Sequence, residues 1–291
     1  MQAEALLIHP AMVFVTGRAG GGKTTTVVDV IDRVFRPQID RMVVCCPTWL
    51  TQSTFRPIRN MVDLSRDILE CNPNSFQKRN IKDPFKGFFK SIVKQRTLAH
   101  EKGVESPKTL LFIDDMGGEK SQHERLGYLT RLAVQYRHLN LSIILISQQP
   151  KLTVNAVRQN LSAAICFPPT STNGANWLHE ELNMNRIPKK EFDFMIDSAW
   201  AGGLNTRKEL GQHFLFVVVV PRRPARYFID FSSELKCDLE EELPTYKIKK
   251  NGKKRPRVDG VEKDDAPEHK KTKTCRTPIV SILSPRMKLG K

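Results

Sequence analysis

Residues Met12 to Thr25 read MVFVTGRAGGGKTT, and this stretch decides the fold. The apolar run Met12–Val15 is typical of a buried strand, and the loop after it has the Gly-x-x-x-x-Gly-Lys-Thr spacing of a Walker A motif from Gly17 to Thr24. Glycines let such a loop turn its backbone N–H groups inward around a phosphate. The following residues continue as a helix whose N-terminus faces that anion. The stretch therefore predicts a nucleotide-binding loop made of Gly17, Arg18, Ala19, Gly20, Gly21, Gly22, Lys23, Thr24 and Thr25.

Two side chains of this loop carry specific chemistry. Lys23 offers a point charge to the outer phosphates, and the hydroxyl of Thr24 offers a ligand to Mg²⁺. The alternative is a glycine-rich turn that matches the motif by chance. The strand, loop and helix follow in the required order, which favours the P-loop and the cofactors ATP and Mg²⁺.

Length and composition indicate one large α/β domain with extensions. The chain has 291 residues, of which 40% are hydrophobic. No apolar run approaches the roughly 20 residues that cross a membrane, and Met1–Pro10 is too short and uncharged for a secretory signal. The six cysteines form no CxxC pair and are expected to be reduced thiols. We therefore expect an intracellular protein without a membrane partner.

The positive charge is concentrated at the C-terminal end. The net charge is +16, and residues 246–291 hold 15 Lys/Arg against 5 Asp/Glu, a net of +10, which leaves +6 for residues 1–245. Such asymmetry indicates a nucleic-acid contact or a targeting signal in the tail.

Apolar runs that alternate with helical patterns predict a mainly parallel sheet flanked by helices. A helix is expected over Met61–Leu69, and Trp177–Trp200 is expected to be helical with a break at Pro188. Trp49, in the polar loop after the second strand, fits a ligand surface and core packing equally well. The predicted strands are Met12–Val15, Arg41–Cys46, Thr109–Asp115, Leu141–Ser147, Ala163–Phe167, His213–Val220 and Arg226–Phe231, the last two either as a hairpin or as two final strands.

A basic segment with aromatic residues spans Phe76–Arg96. Basic side chains interleaved with phenylalanines suit a nucleic-acid backbone. The alternative, which the pattern favours, is an amphipathic helix that buries Phe88 and Ile92 and turns its lysines to solvent.

The strand TLLFIDD ends in two acids. Because the carboxyl ends of parallel strands meet at one end of the sheet, Asp114 is the Walker B candidate that holds Mg²⁺, and Asp115 is placed to orient or deprotonate the attacking water. A pair of plain surface acids is disfavoured by the apolar run Leu110–Ile113 before them. Gln148 caps the next strand, where a neutral amide can bond the γ-phosphate and the attacking water.

Beyond Leu243 the apolar pattern stops. We expect a P-loop domain over residues 1–245 and a basic, mostly disordered tail over residues 246–291, because the tail has too few large apolar groups to offset its ordering entropy. Within it, Lys253–Arg257 reads KKRPR and resembles a nuclear localisation signal that an importin would read. The alternative is a solvated charge run that touches DNA loosely.

These motifs together resemble the FtsK/HerA superfamily of DNA-pumping ATPases, of the RecA/ASCE-like type of P-loop NTPase. The likeness is greatest to the poxvirus-type genome-packaging ATPases, which also occur in Polinton/Maverick elements, adintoviruses and virophages. It covers roughly residues 10–170, with less specific likeness to about residue 231. It depends on the Walker A loop, Leu110–Asp115, the RHLNLS run Arg137–Ser142, the SQQP run Ser147–Pro150 and the VRQN run Val157–Asn160.

The resemblance implies a role for each matching residue. Lys23 and Thr24 bind phosphate and Mg²⁺. Asp114 is the carboxylate on the metal. Asp115 is the catalytic carboxylate, and Gln148 is the sensor. Arg137 matches the arginine finger that reaches a nucleotide on the neighbouring subunit, with Arg158 as second choice. The alternative for Arg137 is a helix-terminal cation that the helix dipole favours. The chain departs from the superfamily in Asp115, where many members carry Glu, and in its basic tail.

The implied machine is a homo-oligomer, a hexameric ring around double-stranded DNA that docks on capsid or packaging-vertex proteins. The expected function is an ATP-hydrolysing DNA translocase that packages a viral or virus-like transposon genome into a capsid. The expected location is the host nucleus or the virion, and otherwise the cytoplasm. The alternatives are a helicase-like NTPase acting on single-stranded nucleic acid, a P-loop kinase, for which no arginine-rich lid is identifiable, and a nucleotide-dependent scaffold for capsid assembly.

Overall fold

The fold is described by a computed structural model over residues 6–69, 83, 85–114, 127–148, 155–169, 172–201, 213–219, 223–236 and 281–282. The strands are β1 (Met12–Thr16), β2 (Arg41–Cys45), β3 (Thr109–Ile113), β4 (Leu141–Ser147), β5 (Ala163–Cys166), β6 (Leu215–Val218), β7 (Arg226–Ile229), β8 (Ser233–Lys236) and β9 (Ser281–Ile282). The α-helices are α1 (Lys23–Val30), α2 (Phe85–Glu101), α3 (Gly127–Gln135), α4 (Asn155–Gln159), α5 (Thr172–Leu182) and α6 (Lys189–Trp200).

All of these strands lie in one sheet, in the order β2-β3-β4-β1-β5-β6-β7-β8-β9. Strands β2, β3, β4, β1 and β5 are parallel, and each later pairing is antiparallel. This arrangement confirms the predicted α/β fold with its mainly parallel sheet. Strand β4 lies between β1, which leads into the P-loop, and β3, which leads into the two acids.

The sheet has an apolar layer on each face, because successive side chains of a buried strand point to opposite faces. Val13 and Val15 of β1 belong to the cluster that contains Val27 and Val28 of α1. Phe14 belongs to the opposite cluster, with buried residues of α2, α3, α5 and α6. Helix α1 therefore covers one face and most other helices cover the other.

The register brings the ends of three central strands to one level. Thr16 at the end of β1 lies opposite Ser147 at the end of β4, and Ile113 at the end of β3 lies opposite Leu145. We call this the carboxyl end of the sheet, and the opposite end, where parallel strands begin, the amino end. Residues that follow Thr16, Ile113 and Ser147 therefore meet at the carboxyl end.

Trp49, in the loop after β2, packs in the core, which was one of its two interpretations. Its side chain is 1% exposed and packs against Phe55 and Phe112, with ring centroids 4.9 and 6.3 Å away. A 3-10 helix over Ser53–Met61 follows.

The helix expected over Met61–Leu69 is wrong. The Asp63 side chain accepts bonds from the backbone N–H and the hydroxyl of Ser65, a local turn that competes with helix. Asp67 forms an ion pair with Arg41 at 2.5 Å. The end of the segment then bridges strand β2 in parallel, through Ile68 and Val44.

Three further expectations concern the second half of the chain. The break in Trp177–Trp200 lies as expected, because α5 ends at Leu182 and α6 starts after Pro188. Strands β6 and β7 pair antiparallel, which is the hairpin alternative. In the segment expected to be mostly disordered, only Ser281–Ile282 is described, and it pairs antiparallel with β8.

The cysteines differ from the expectation in one place. Cys46 and Cys166 are free and buried, as expected of reduced core thiols. Cys45, however, is disulfide-bonded, and because the other two described cysteines are free, its partner lies outside the described residues.

In the part of the chain that the structure describes, no helix has the length and apolar character needed to cross a membrane.

Candidate active site at the carboxyl end of the sheet

The loop between β1 and α1 has a conformation that requires glycine. Gly20 and Gly22 have φ values of 71° and 85°, in the left-handed region that favours glycine, and Gly22 caps α1. Gly17 has φ 144°, and a Cβ added there would lie 2.4 Å from the Cβ of Phe167. Larger residues at Gly17 would therefore push the loop off the end of β5.

Lys23 lies inside this loop. Its side chain is 7% exposed, and its Nζ donates a hydrogen bond of 2.6 Å to the backbone oxygen of Arg18. The N–H of Gly21 also points to that oxygen, at 3.3 Å. The ammonium group thus sits at the centre of the concave loop, where an anion held by the loop N–H groups would meet it.

Thr24 and Asp114 are brought into direct contact. The hydroxyl of Thr24 donates to Oδ2 of Asp114 at 3.1 Å, although 90 residues separate them. Asp114 is 8% exposed, and its backbone N–H donates to the oxygen of Cys45, which fixes the end of β3 to the end of β2. A hydroxyl and a carboxylate are the oxygen ligands that Mg²⁺ prefers, so this pair fits the predicted ion.

Of the other two predicted groups, the structure describes only Gln148. Asp115 is outside the described residues, and its catalytic role stays a prediction. Gln148 is the residue after β4 and is exposed. Because β4 lies between β1 and β3, Gln148 follows a strand whose neighbours lead to the P-loop on one side and to Asp114 on the other.

Arg137 lies elsewhere, at the amino end of the sheet, in the turn between α3 and β4. Its side chain is exposed, and its Nε donates to the Tyr136 hydroxyl at 2.8 Å. Its guanidinium lies over the ring of Tyr136, 5.1 Å from the ring centroid. The Tyr136 hydroxyl also bonds Ser162 at 3.0 Å. Arg137 is therefore held on a buried tyrosine and directed away from its own P-loop.

His9 holds the turn that carries Arg137 in place through hydrogen bonds to two residues. Asn140 in this turn has φ 53°, and its Oδ1 lies 3.1 Å from Nε2 of His9. The hydroxyl of Ser142 accepts from the Ala11 N–H at 3.0 Å. Because Oδ1 of Asn140 can only accept, Nε2 of His9 carries the proton, and Nδ1 of the neutral ring accepts from the Ser142 hydroxyl at 2.7 Å. Burial lowers the pKa of His9, which keeps the ring neutral and able to accept this bond.

Arg158, the second choice for a finger, is engaged within its own subunit. It pairs with Glu181 at 2.5 Å, also contacts Asn155, and its side chain is 15% exposed. These contacts tie α4 to α5. A guanidinium that is partly buried and paired in this way is poorly placed to reach a neighbouring subunit.

Phe167 is a site residue that the sequence did not indicate. It follows β5, packs on Phe214 with ring centroids 5.1 Å apart, and lies against Gly17. Its N–H donates to the oxygen of Thr16 at 2.9 Å. These residues meet only because β1 pairs with β5, and no local pattern in the sequence predicts that pairing.

Part of the chain is similar to a known protein family. The family model described as Poxvirus A32 protein matches residues 85–195, from the start of α2 into α6. A search of curated proteins found no match.

Solved structures of ATPases are also similar to the chain. The genome-packaging NTPase B204 of Sulfolobus turreted icosahedral virus 2, in complex with AMP, has 13% identity and a TM-score of 0.48 over 75% of this chain and 96% of B204. B204 of Sulfolobus turreted icosahedral virus has 17% identity and a TM-score of 0.47 over 76% and 98%. The cytoplasmic domain of the Thermomonospora curvata type VII secretion ATPase EccC has 10% identity and a TM-score of 0.49 over 76% and 25%.

The match over residues 85–195 confirms the resemblance that the motifs predicted. In this part, the chain is similar to the Poxvirus A32 protein family, which belongs to the poxvirus-type packaging ATPases.

Proposed function

We propose that the chain is an ATP-hydrolysing double-stranded DNA translocase that packages a viral or virus-like transposon genome into a capsid. The observation that carries the proposal is the 3.1 Å contact between the Thr24 hydroxyl and the Asp114 carboxylate. It joins the P-loop to the end of β3 across β4, so the phosphate-binding and metal-binding groups form one site. The family match supports the packaging role.

Each residue then has a defined task. The backbone N–H groups of Gly17–Thr24 bind the phosphates, and Lys23 exchanges the Arg18 oxygen for a phosphate oxygen. Thr24 and Asp114 hold Mg²⁺, which neutralises charge on the phosphates when bound. Asp115 orients or deprotonates the attacking water, and Gln148 senses the γ-phosphate.

The partners follow from the same proposal. Arg137 is exposed at the amino end of the sheet, so it serves a nucleotide only in a neighbouring subunit, within a closed and head-to-tail ring. Such a ring, proposed to be hexameric, encloses duplex DNA and docks on capsid or packaging-vertex proteins. Its grip on the phosphate backbone is expected to be salt-sensitive and independent of sequence.

ATP turnover by the purified full-length chain tests this function. We expect double-stranded DNA to raise turnover, because a translocase couples hydrolysis to movement along the duplex. The measurement is phosphate release with duplex DNA, with single-stranded DNA of the same sequence, and without DNA. Stimulation only by single strands would favour a helicase, and equal turnover in all three would favour a nucleotide-dependent scaffold.

We also propose that the tail directs the protein to the host nucleus through importin, which reads Lys253–Arg257 as an extended basic peptide. This segment lies outside the described residues, so the proposal depends on sequence alone. Deletion of Lys249–Arg257 from a fluorescently tagged chain is expected to leave it cytoplasmic, as seen by microscopy. Deletion of the tail segment from Thr277 to Lys291 is the control, and continued nuclear accumulation after the first deletion would refute the signal.

A further inference from the structure

A row of lysines occupies the solvent side of α2. The helix buries Phe85, Phe88 and Ile92 against the sheet, as the amphipathic interpretation of this segment requires. On the opposite side, at four-residue intervals, it exposes three lysines that we call the basic stripe: Lys86, Lys90 and Lys94. Four residues of α-helix rise about 6 Å, so the three ammonium groups form a line along the helix.

The charge of the basic stripe is unpaired in the part of the chain that the structure describes. No ion pair among the described residues involves any of its lysines. Helices α2 and α3 together carry five Lys/Arg and one acid, Glu101, which is the last residue of α2. In contrast, α5 and α6 carry five acids and two lysines. Of the helices that cover this face of the sheet, α2 and α3 are therefore the basic pair, and α5 and α6 are the acidic pair.

Helix α3 extends this surface with aromatic residues and an arginine. Phe89 of α2 packs on Tyr128 of α3 with centroids 5.6 Å apart, and the Arg131 guanidinium lies 5.0 Å from the centroid of the Tyr128 ring. Asp83 fixes the two helices together, because its carboxylate accepts from the N–H groups of Phe85 and Tyr128, at 2.9 and 3.0 Å. The surface is therefore rigid at its start.

The position of this surface relates it to the nucleotide site. Helices α2 and α3 lead into the amino ends of β3 and β4, so their first residues lie at the carboxyl end of the sheet. They cover the face opposite α1. The basic stripe therefore starts at the same end of the sheet as the P-loop but on the other face, where a long polyanion could pass without covering the phosphate-binding loop.

We propose that the basic stripe, with Arg131, binds the phosphate backbone of the duplex DNA that the proposed translocase moves. This inference rests on the proposed function and names the surface that performs its DNA contact. The basic stripe does not bind DNA by base stacking, because the nearby aromatic residues Phe89 and Tyr128 are half-buried and packed on each other. Point charges along a fixed helix provide sequence-independent phosphate contacts.

A contact with another subunit fits the stripe less well. The acidic α5–α6 side of a second copy has the complementary charge, but the centres of subunit interfaces are apolar and depleted of charged residues. The stripe has no large apolar side chain among its lysines, and Leu98, 43% exposed, lies beyond its end. The observations therefore favour nucleic acid, and oligomer formation becomes an outcome of the test.

The test compares two triple variants of the full chain that have equal net charge. One carries Lys86→Gln, Lys90→Gln and Lys94→Gln, and the control carries Arg56→Gln, Lys189→Gln and Lys190→Gln at exposed positions on other helices. Fluorescence anisotropy gives the affinity for a random-sequence duplex over a series of salt concentrations. Each phosphate contact contributes about 0.9 to the steepness with which log K falls with log[salt]. We therefore expect the slope of the stripe variant to be smaller in magnitude by about 2–3 than that of the unchanged protein, and the slope of the control variant to be almost unchanged.

The outcomes separate this inference from the proposed function. In the expected result, the stripe variant loses slope and DNA-stimulated turnover, and its turnover without DNA equals that of the unchanged protein. Equal slopes in the two variants would overturn the stripe while leaving the translocase intact. A changed oligomer size by light scattering with an unchanged slope would assign the stripe to subunit contact. If the unchanged protein bound no duplex, the proposed function itself would fail.

Discussion

Asp114→Asn is expected to lower ATP turnover by about 10²–10³, the usual effect of removing one preorganised group that stabilises charge in a transition state. The carboxylate lies 3.1 Å from the Thr24 hydroxyl, where both oxygens can bind the same Mg²⁺. An amide keeps the shape of the side chain but not its charge, so the site should also need a higher Mg²⁺ concentration. Phosphate release measured over a series of Mg²⁺ concentrations reports both effects.

The matched control is Asp29→Asn in α1. This change removes the same charge six residues from Lys23, where Asp29 forms an exposed ion pair with Arg33. Exposed pairs contribute little to stability, so the control should fold and hydrolyse ATP normally. A loss of turnover equal to that of Asp114→Asn would show that general charge, and not the contact with Thr24, explains the effect.

Combination with Thr24→Ala sharpens the result. If both side chains hold one ion, the double variant should be only slightly worse than the poorer single variant, because the second change removes a ligand from an ion that is already weakly held. Fully additive losses would place the two groups in separate roles. Asp115→Asn should instead abolish hydrolysis while leaving the Mg²⁺ dependence of ATP binding unchanged, as its predicted role on the attacking water requires.

The sequence predicted the parts of the site that are encoded locally. Gly17, Gly22 and Lys23 lie within one strand, loop and helix, and the dihedral angles of this loop allow few residues other than glycine. Asp114 follows an apolar run, and the end of such a run in a parallel sheet marks one end of the sheet. Both patterns are short-range, so no long-range contact was needed to interpret them.

Other features depend on which strands become neighbours. Phe167 meets Gly17 only because β5 pairs with β1, and spacing along the chain carries no signal for that pairing. The burial of Trp49 likewise depends on Phe55 and Phe112, which meet it from different segments. The helix expected over Met61–Leu69 does not form for a different reason: Asp63 and Ser65 form a side-chain turn that competes with it.

Arg137→Ala is expected to lower the turnover of the assembled ring by about 10³–10⁵, the contribution of arginine fingers in other NTPases. Arg137 cannot serve its own nucleotide. It precedes β4, a strand of seven residues, and the P-loop lies at the other end of that strand. At about 3.3 Å per residue the separation is about 20 Å, which exceeds the reach of an arginine side chain. Only a neighbouring P-loop can meet this guanidinium.

The control is Arg33→Ala, which removes an exposed guanidinium from the π-helical turn Ile31–Phe35 that follows α1; among the described residues its ion pair is with Asp29. Light scattering must show that both variants form assemblies of the same size as the unchanged protein, because a ring that fails to close would lose turnover for another reason. Nucleotide binding should be unaffected by Arg137→Ala, since the P-loop, Thr24 and Asp114 of each subunit remain intact.

Mixed rings distinguish action in trans from every local explanation. Lys23→Ala subunits lack the cation that meets the phosphates and should be inactive alone, but they retain Arg137. When they are mixed with Arg137→Ala subunits, some interfaces join an intact P-loop to an intact Arg137, so turnover should partly return. Because neither variant is active by itself, any recovered turnover must come from groups on two chains. If verified mixed assemblies stayed inactive, or if Arg137→Ala alone kept full turnover, Arg137 would be the helix-terminal cation held on Tyr136 and no finger.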